Sequence, residues 1–270
     1  YLKKIRSIVL KISSFLKKFS KDESITSIIL NLCGSAIKIS KSIHDDDYEI
    51  ENTSKNTDGD IQKPLDIFSD KTLLDFISIS EVAAYCSEEQ KGIVKLNRNG
   101  KFIVVTDPLD GSSNIDANVS IGTIFSIIPT NGLNAEDAIF QKGNKQACSG
   151  FFVYGPRTTL FLTFKSGTHS FFLNNNSNCF ELLQKDILLP ESTSEYSINS
   201  SYQRFWHKKV LSYVNNCQAG RDGPRKKDFN MRWVGSLVAD ASRIFTRGGI
   251  FLYPDDTREK NKNGRLRLTY

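Results

Sequence analysis

The sequence holds 270 residues, of which 39% are hydrophobic and 24% charged, so it can bury one large core or two modest ones as an ordinary globular chain. No apolar run approaches the roughly 18 residues of a membrane span, which argues against an integral membrane protein. The net charge of +6 is spread along the chain; it suits an anionic substrate and argues poorly for nucleic acid. Five scattered cysteines without CxxC spacing, and three separated histidines, argue against a disulfide framework or a zinc site and for reduced cytoplasmic thiols. The chain begins at Tyr1 rather than a methionine, and is therefore expected to be part of a longer protein, in which any upstream targeting segment would not be visible.

Along the chain, Leu2, Ile5, Ile8, Val9, Ile12, Phe15, Leu16 and Phe19 recur at helical spacing with Lys and Arg opposite, predicting an amphipathic helix. Such a basic helix can bind membranes or calmodulin; the plainer expectation is packing on its own domain or a sister subunit. A second helix is predicted over residues 25–40, with Ile25, Ile28, Ile29, Leu32, Cys33, Ala36 and Ile37 inward. His44, Asp45, Asp46 and Asp47 lie in a polar stretch that reads as solvated loop, because no ligand partners stand at defined spacing. A short helix over 73–79 and a buried strand over 101–106 follow. Residues 123–129, 150–154, 158–164 and 169–173 are predicted strands, interrupted by Gly155-Pro156 and Ser166-Gly167. Helices over 206–215 and 237–245, then strands over 250–253 and 265–269, complete a layered α/β or α+β order without internal repeats.

Chemistry concentrates at the end of the strand over 101–106. Asp107 and Asp110 stand three residues apart with Pro108 between them, and a turn there converges both carboxylates and the Leu109 carbonyl. Hard cations such as Mg²⁺ take that all-oxygen set. Gly111, Ser112 and Ser113 then supply backbone N–H groups and hydroxyls, expected at a helix N-terminus, where a phosphate can lie beside the metal. Metal-assisted phosphoryl transfer needs this pairing of cation ligands and anion cradle. The plain alternative is a type I turn followed by an N-cap. Glu88-Glu89 follows an apolar stretch, after Asp60 and Asp66. In an extended strand the two glutamates point to opposite sides, one to ligate metal and one to activate or orient water; the alternative is an exposed acidic turn.

The run DPLDGSSNID (107–116) resembles the signature of the lithium-sensitive, magnesium-dependent phosphatases, and its continuation SIGTIF (120–125) is similar to the fructose-1,6-bisphosphatase family in particular. Collinear matches are DGD (58–60), LD (65–66), SEE (87–89), YSIN (196–199) with Tyr202, RWVGSLVAD (232–240), GGIFLYP (248–254) and GRLRLTY (264–270). The resemblance spans residues 25–270. It implies a two-sheet α/β sandwich with helical layers, an N-terminal domain over 1–190 carrying the metal cluster, and a C-terminal sugar-phosphate domain over 191–270.

By that resemblance, Glu88, Asp107, Asp110 and the Leu109 carbonyl bind catalytic metal, Mg²⁺ or Mn²⁺, with Asp60 near a further ion. Asp66 and Glu89 help activate water. Gly111, Ser112, Ser113 and Arg267 hold the transferred phosphate. The distal phosphate lies among Asn199, Tyr202, Tyr253 and Arg265, with Arg232 reaching in from a neighbouring subunit, while Gly235 and Leu237 line the sugar. The implied protein is a cytoplasmic homo-oligomer, dimer or tetramer, hydrolysing the 1-phosphate of fructose 1,6-bisphosphate.

Several positions depart from the family pattern. A metal-binding Glu is expected just after the position of Tyr270. Trp233 replaces a Tyr of animal enzymes, Arg265 a Lys, and Ser200-Ser201 a Glu-Gly pair. Asp22, Glu23, Ser24, Ile25 and Thr26 stand where animal enzymes carry a TGELT loop that binds the inhibitor AMP, and Phe102 replaces a Tyr, so AMP control is not expected. GPRTT (155–159) resembles sedoheptulose-1,7-bisphosphatases, which gives one alternative activity; a truncated, inactive homologue that binds sugar phosphate or a partner subunit is the other.

Overall fold

The computed structural model describes residues 10–20, 22–45, 63–164 and 167–258. The chain divides into two compact units that meet in sequence between Ile187 and Leu188.

The first unit begins with three helices: α1 (Ile12–Phe19), α2 (Glu23–Asp45) and α3 (Pro64–Ser78). On α2, Ile28, Ile29, Leu32, Cys33, Ala36 and Ile39 are buried, the stripe expected of a helix laid on a core. Gly34 permits close approach of α3, because a Cβ there would lie 2.6 Å from a Phe76 ring carbon. The predicted helix over 73–79 proves to be only the second half of α3. Pro64 starts that helix rather than breaking it: its missing N–H is no loss in the first turn, and Asp66 accepts the Lys63 N–H at 2.7 Å. The start predicted for the first helix, at Leu2, lies outside the described residues.

Eight strands form one sheet: β1 (Val82–Ser87), β2 (Val94–Lys95), β3 (Phe102–Asp110), β4 (Ile121–Pro129), β5 (Cys148–Tyr154), β6 (Thr159–Phe164), β7 (Gly167–Asn174) and β8 (Cys179–Gln184). Their order is β2-β1-β3-β4-β5-β6-β7-β8, and among these neighbours only β1 and β3 run parallel. Both faces of β3 are covered. Phe102 and Val104 join the helix-side core, while Ile103 and Val105 pack with Ala84, Cys86, Ile128 and Ala138 of the one-turn helix α4 (Ala135–Ala138). A strand buried on both faces reads as a continuous apolar run, which is how residues 101–106 read.

The second unit holds β9 (Glu195–Ile198), α5 (Lys208–Gln218), β10 (Asn230–Met231), α6 (Leu237–Arg247) and β11 (Ile250–Leu252). Its sheet has the order β10-β9-β11, all parallel, and the connections run through α5 and α6, as parallel neighbours require. The protein is thus mixed α/β with two sheets, the class expected from sequence. Sequence reading did not delimit β1, β8 or β9 as strands, and the strand predicted over 265–269 lies outside the described residues.

Candidate active site

Asp107 and Asp110 occupy the end of β3, and the expected turn between them is instead a bulged strand. Asp107 opposes Ile124 and Asp110 opposes Gly122, so three steps on β3 match two on β4. In a regular strand residues three apart point to opposite faces; one extra residue restores a common side. Thr123 braces the bulge by donating to the Pro108 carbonyl at 2.8 Å. Asp107 accepts the Leu109 N–H at 3.1 Å, and Asp110 is only 3% exposed.

Gly111 then leaves the strand at φ +80°, a left-handed conformation that favours glycine. The helix N-terminus expected at Gly111, Ser112 and Ser113 is also corrected: Ser112–Asn114 form a single 3-10 turn, closed by the Asn114 N–H on the Gly111 carbonyl at 2.8 Å. An anion there would meet turn N–H groups and hydroxyls rather than a helix dipole.

Glu88 and Glu89 lie in the turn after β1, because pairing with β3 stops at Ser87 opposite Thr106. The strand argument for opposite directions therefore fails. The Glu88 N–H reaches the Thr106 carbonyl at 3.2 Å, and the Glu89 N–H reaches Ser87 Oγ at 3.2 Å. A buried network steadies this turn: Tyr85 donates to Asp70 at 2.8 Å, Thr106 donates to Tyr85 at 2.9 Å, and the Gln90 amide also donates to Asp70. Asp70, Tyr85 and Gln90 were missed from sequence. Asp70 follows Asp66 by one helical turn, a spacing that becomes readable once α3 is seen to start at Pro64.

The electrostatics are those of a crowded acidic site. Burial first, then the charges of Asp110, Glu88 and Glu89, push the Asp107 carboxyl well above its ordinary range, against the Leu109 hydrogen bond. Burial also raises Asp66, with the Lys63 backbone and charge and the Ser112 hydroxyl opposing. Asp66 Oδ1 and Asn114 Nδ2 are buried polar atoms without a hydrogen-bond partner among the described residues. The ready-made metal shell expected from Glu88, Asp107 and Asp110 is not met in full. Among the described residues no three His, Cys, Asp or Glu groups stand close enough to hold an ion. Field coupling between carboxylates reaches further than ligation distance. The donor chemistry nonetheless fits a hard divalent cation: carboxylates, a backbone carbonyl and an orphaned carboxylate oxygen.

In the second unit, Asn199 caps the 3-10 turn Ser200–Phe205, accepting the Ser201 N–H at 3.1 Å. Tyr202, on that turn, lies under the Arg258 guanidinium. Arg232 is 52% exposed and 3.8 Å from Glu195, which in turn takes a 2.8 Å ion pair from Arg243. Gly235 has φ +85°, and Leu237 opens α6, half-buried. Tyr253 stacks with Trp233 and Phe251 at centroid distances of 6.3 and 6.4 Å. The second unit thus joins Tyr253 to Trp233, next to Arg232 in sequence. Asp60, Arg265 and Arg267 lie outside the described residues.

The sequence model of the fructose-1,6-bisphosphatase N-terminal domain matches residues 9–185, and that of the C-terminal domain matches 189–270. The chain belongs to the fructose-1,6-bisphosphatase family. A class 1 fructose-1,6-bisphosphatase of Azorhizobium caulinodans is 48% identical over 225 residues, covering 82% of this chain and 69% of that protein. One of Rhizobium meliloti is 48% identical over 218 residues, covering 80% and 62%. The chain thus spans roughly two thirds of these curated relatives. The holo crystal structure of Leishmania major fructose-1,6-bisphosphatase superposes with a TM-score of 0.87 at 30% identity, over 98% of this chain and 83% of that one. Membership in this fructose-1,6-bisphosphatase family implies a divalent cation. No helix among the described residues is long and apolar enough to cross a membrane.

Proposed function

We propose that the protein hydrolyses the 1-phosphate of fructose 1,6-bisphosphate, giving fructose 6-phosphate and phosphate, with Mg²⁺ or Mn²⁺. The observation that carries this reading is the bulge that sets Asp107 beside Asp110, in the field of Glu88 and Glu89, immediately before the Gly111–Ser113 cradle. Glu88, Asp107, Asp110 and the Leu109 carbonyl would hold the cation, with Asp60 near a second. When bound, it supplies positive charge to the phosphoryl oxygens and acidifies water. Asp66 and Glu89 orient the attacking water and accept its proton. Gly111, Ser112, Ser113 and Arg267 hold the transferred phosphate for in-line attack. The bond from water oxygen to phosphorus forms as the bond to the C1 oxygen breaks, without a covalent enzyme intermediate.

Asn199, Tyr202, Tyr253 and Arg265 grip the distal phosphate, with Arg232 supplied by a neighbouring subunit, and Gly235 and Leu237 line the sugar. This reading includes a homo-oligomer, dimer or tetramer, in the cytoplasm; the free thiols of Cys33, Cys86, Cys148, Cys179 and Cys217 support the reducing location. The alternative substrate, sedoheptulose bisphosphate, rests on the GPRTT segment, while the motifs around it favour fructose bisphosphate. Arg157 lies over Phe172 at 5.1 Å and Thr158 hydrogen-bonds Ser40 at 2.7 Å. Phosphate release from the whole protein should be fastest with fructose 1,6-bisphosphate in a panel with sedoheptulose 1,7-bisphosphate and inositol 1-phosphate. A preference for either of the others, or no release with either metal, refutes the proposal.

A further inference from the structure

We propose that Arg258 is a ligand of the distal phosphate, a role that rests on the reading of Tyr202 given above. The geometry is that of a guanidinium fixed in advance. Its central carbon lies 3.8 Å from the Tyr202 ring centroid and 5.2 Å from that of Phe205, so two aromatic faces set its plane. Asp256, only 3% exposed, holds one edge: Nε donates at 3.0 and 3.1 Å, Nη2 donates at 2.6 Å, and the Arg258 backbone N–H donates at 3.0 Å.

The segment carrying Asp256 is itself docked on the turn that carries Tyr202. Asp256 bridges to Trp206, and the Thr257 N–H donates to the Phe205 carbonyl at 3.0 Å. Asp256 thus occupies the Nε and Nη2 side of the fork, and the guanidinium also interacts with the Tyr202 hydroxyl. A planar donor edge next to a phenol suits the tetrahedral oxygens of a phosphate monoester. Because packing has already removed the side chain's rotamer freedom, binding has little further ordering to do. A loop tie alone would need the Asp256 pair but not the stacking on Tyr202.

The test uses the whole protein with Mg²⁺ and three ligands: fructose 1,6-bisphosphate, fructose 6-phosphate as an inhibitor carrying the distal phosphate alone, and fructose 1-phosphate as a substrate lacking it. For Arg258→Met, KM for the bisphosphate and Ki for fructose 6-phosphate should each rise about 10- to 100-fold, the usual effect of losing a charge-assisted hydrogen bond. Turnover of the bisphosphate, and kcat/KM for fructose 1-phosphate, should stay within about threefold of wild type. A Ki within about twofold of wild type overturns the proposal. So does an equal loss on fructose 1-phosphate, the signature of a role in packing alone. Should Arg258→Met fail to fold, Arg258→Lys keeps a charge for Asp256 but loses the fork; an unchanged Ki in that variant is equally fatal. Wild-type protein that neither hydrolyses the bisphosphate nor binds fructose 6-phosphate overturns this proposal together with the functional reading. Turnover by wild type with an unaltered Arg258→Met variant overturns this one alone.

Discussion

Replacing Asp240 by Ala should destabilise the second unit and weaken substrate binding together. Asp240 has no exposed surface and accepts three donors: Ser197 Oγ at 2.9 Å, Arg243 Nη2 at 2.9 Å and the Val234 N–H at 3.1 Å. Removing one partner of a buried ion pair costs about 3–5 kcal/mol, because the other charge is left without its match. Arg243 keeps its 2.8 Å pair with Glu195, so the lower end, about 3 kcal/mol, is expected. In a chain of this size that corresponds to a fall of about 6–12 °C in melting temperature. The assay is convenient, since Trp206 and Trp233 are the two tryptophans of the sequence and both lie in the second unit. Their fluorescence follows this unit on heating. The lost Val234 contact frees the segment that presents Arg232 and Gly235, so KM for the bisphosphate should rise with it. Melting within about 2 °C of wild type would refute the reasoning, since a buried carboxylate with three donors cannot be removed so cheaply.

Asp110→Ala should abolish phosphatase activity at saturating Mg²⁺ without lowering the melting temperature, because it relieves like-charge repulsion on Asp107; activity within a few fold of wild type refutes the site. Arg232→Ala should raise KM far more than it lowers kcat, since the distal phosphate does not react; an unchanged KM removes Arg232 from the site. AMP should have little effect, because Asp22 already accepts the Ser24 and Ile25 N–H groups at 2.9 and 3.4 Å at the start of α2, donors that a nucleotide phosphate would need; strong inhibition refutes this. Burial lowers the His169 pKa, with Asp186 opposing and Lys185 assisting, so the unfolded chain takes the proton first. The contribution is whole above about pH 6.5 and declines below it, and urea melts from pH 8 to 5 should show a slope that His169→Gln flattens.

What could be read in advance follows from which partners are local. Helix α2 and strands β3 to β7 announce themselves because their buried residues recur at one period within a single segment. Strand β9 does not. Its four residues include Ser197, a polar residue that is buried only because Asp240, 43 positions later, accepts its hydroxyl. Strand β8 ends in exposed Leu183 and polar Gln184, so its apolar signal is short, and its edge is met by Leu10, whose carbonyl accepts the Leu182 N–H at 2.9 Å. Pro64 was a helix start that reads equally as a breaker until the Lys63 and Asp66 hydrogen bond is seen.

The candidate site divides along the same line. Its residue types were legible because the chemistry is: hard cations and phosphates demand carboxylates, hydroxyls and small turns in close succession. Its geometry was not. The spacing of Asp107 and Asp110 is three, an odd number, and on a flat strand an odd spacing separates two side chains. A turn, the commonest device around an Asp-Pro pair, is what such a spacing suggests. The structure uses a bulge, and the reason lies on the neighbouring strand. Thr123, which occupies the step skipped opposite the bulge, donates to the Pro108 carbonyl and hydrogen-bonds the Tyr154 phenol at 2.8 Å each. The bulge is thus held by residues 15 and 31 positions beyond Pro108 and Thr123 respectively, buried in the sheet rather than exposed in a loop. Two carboxylates anchored this way cannot relax apart by loop motion.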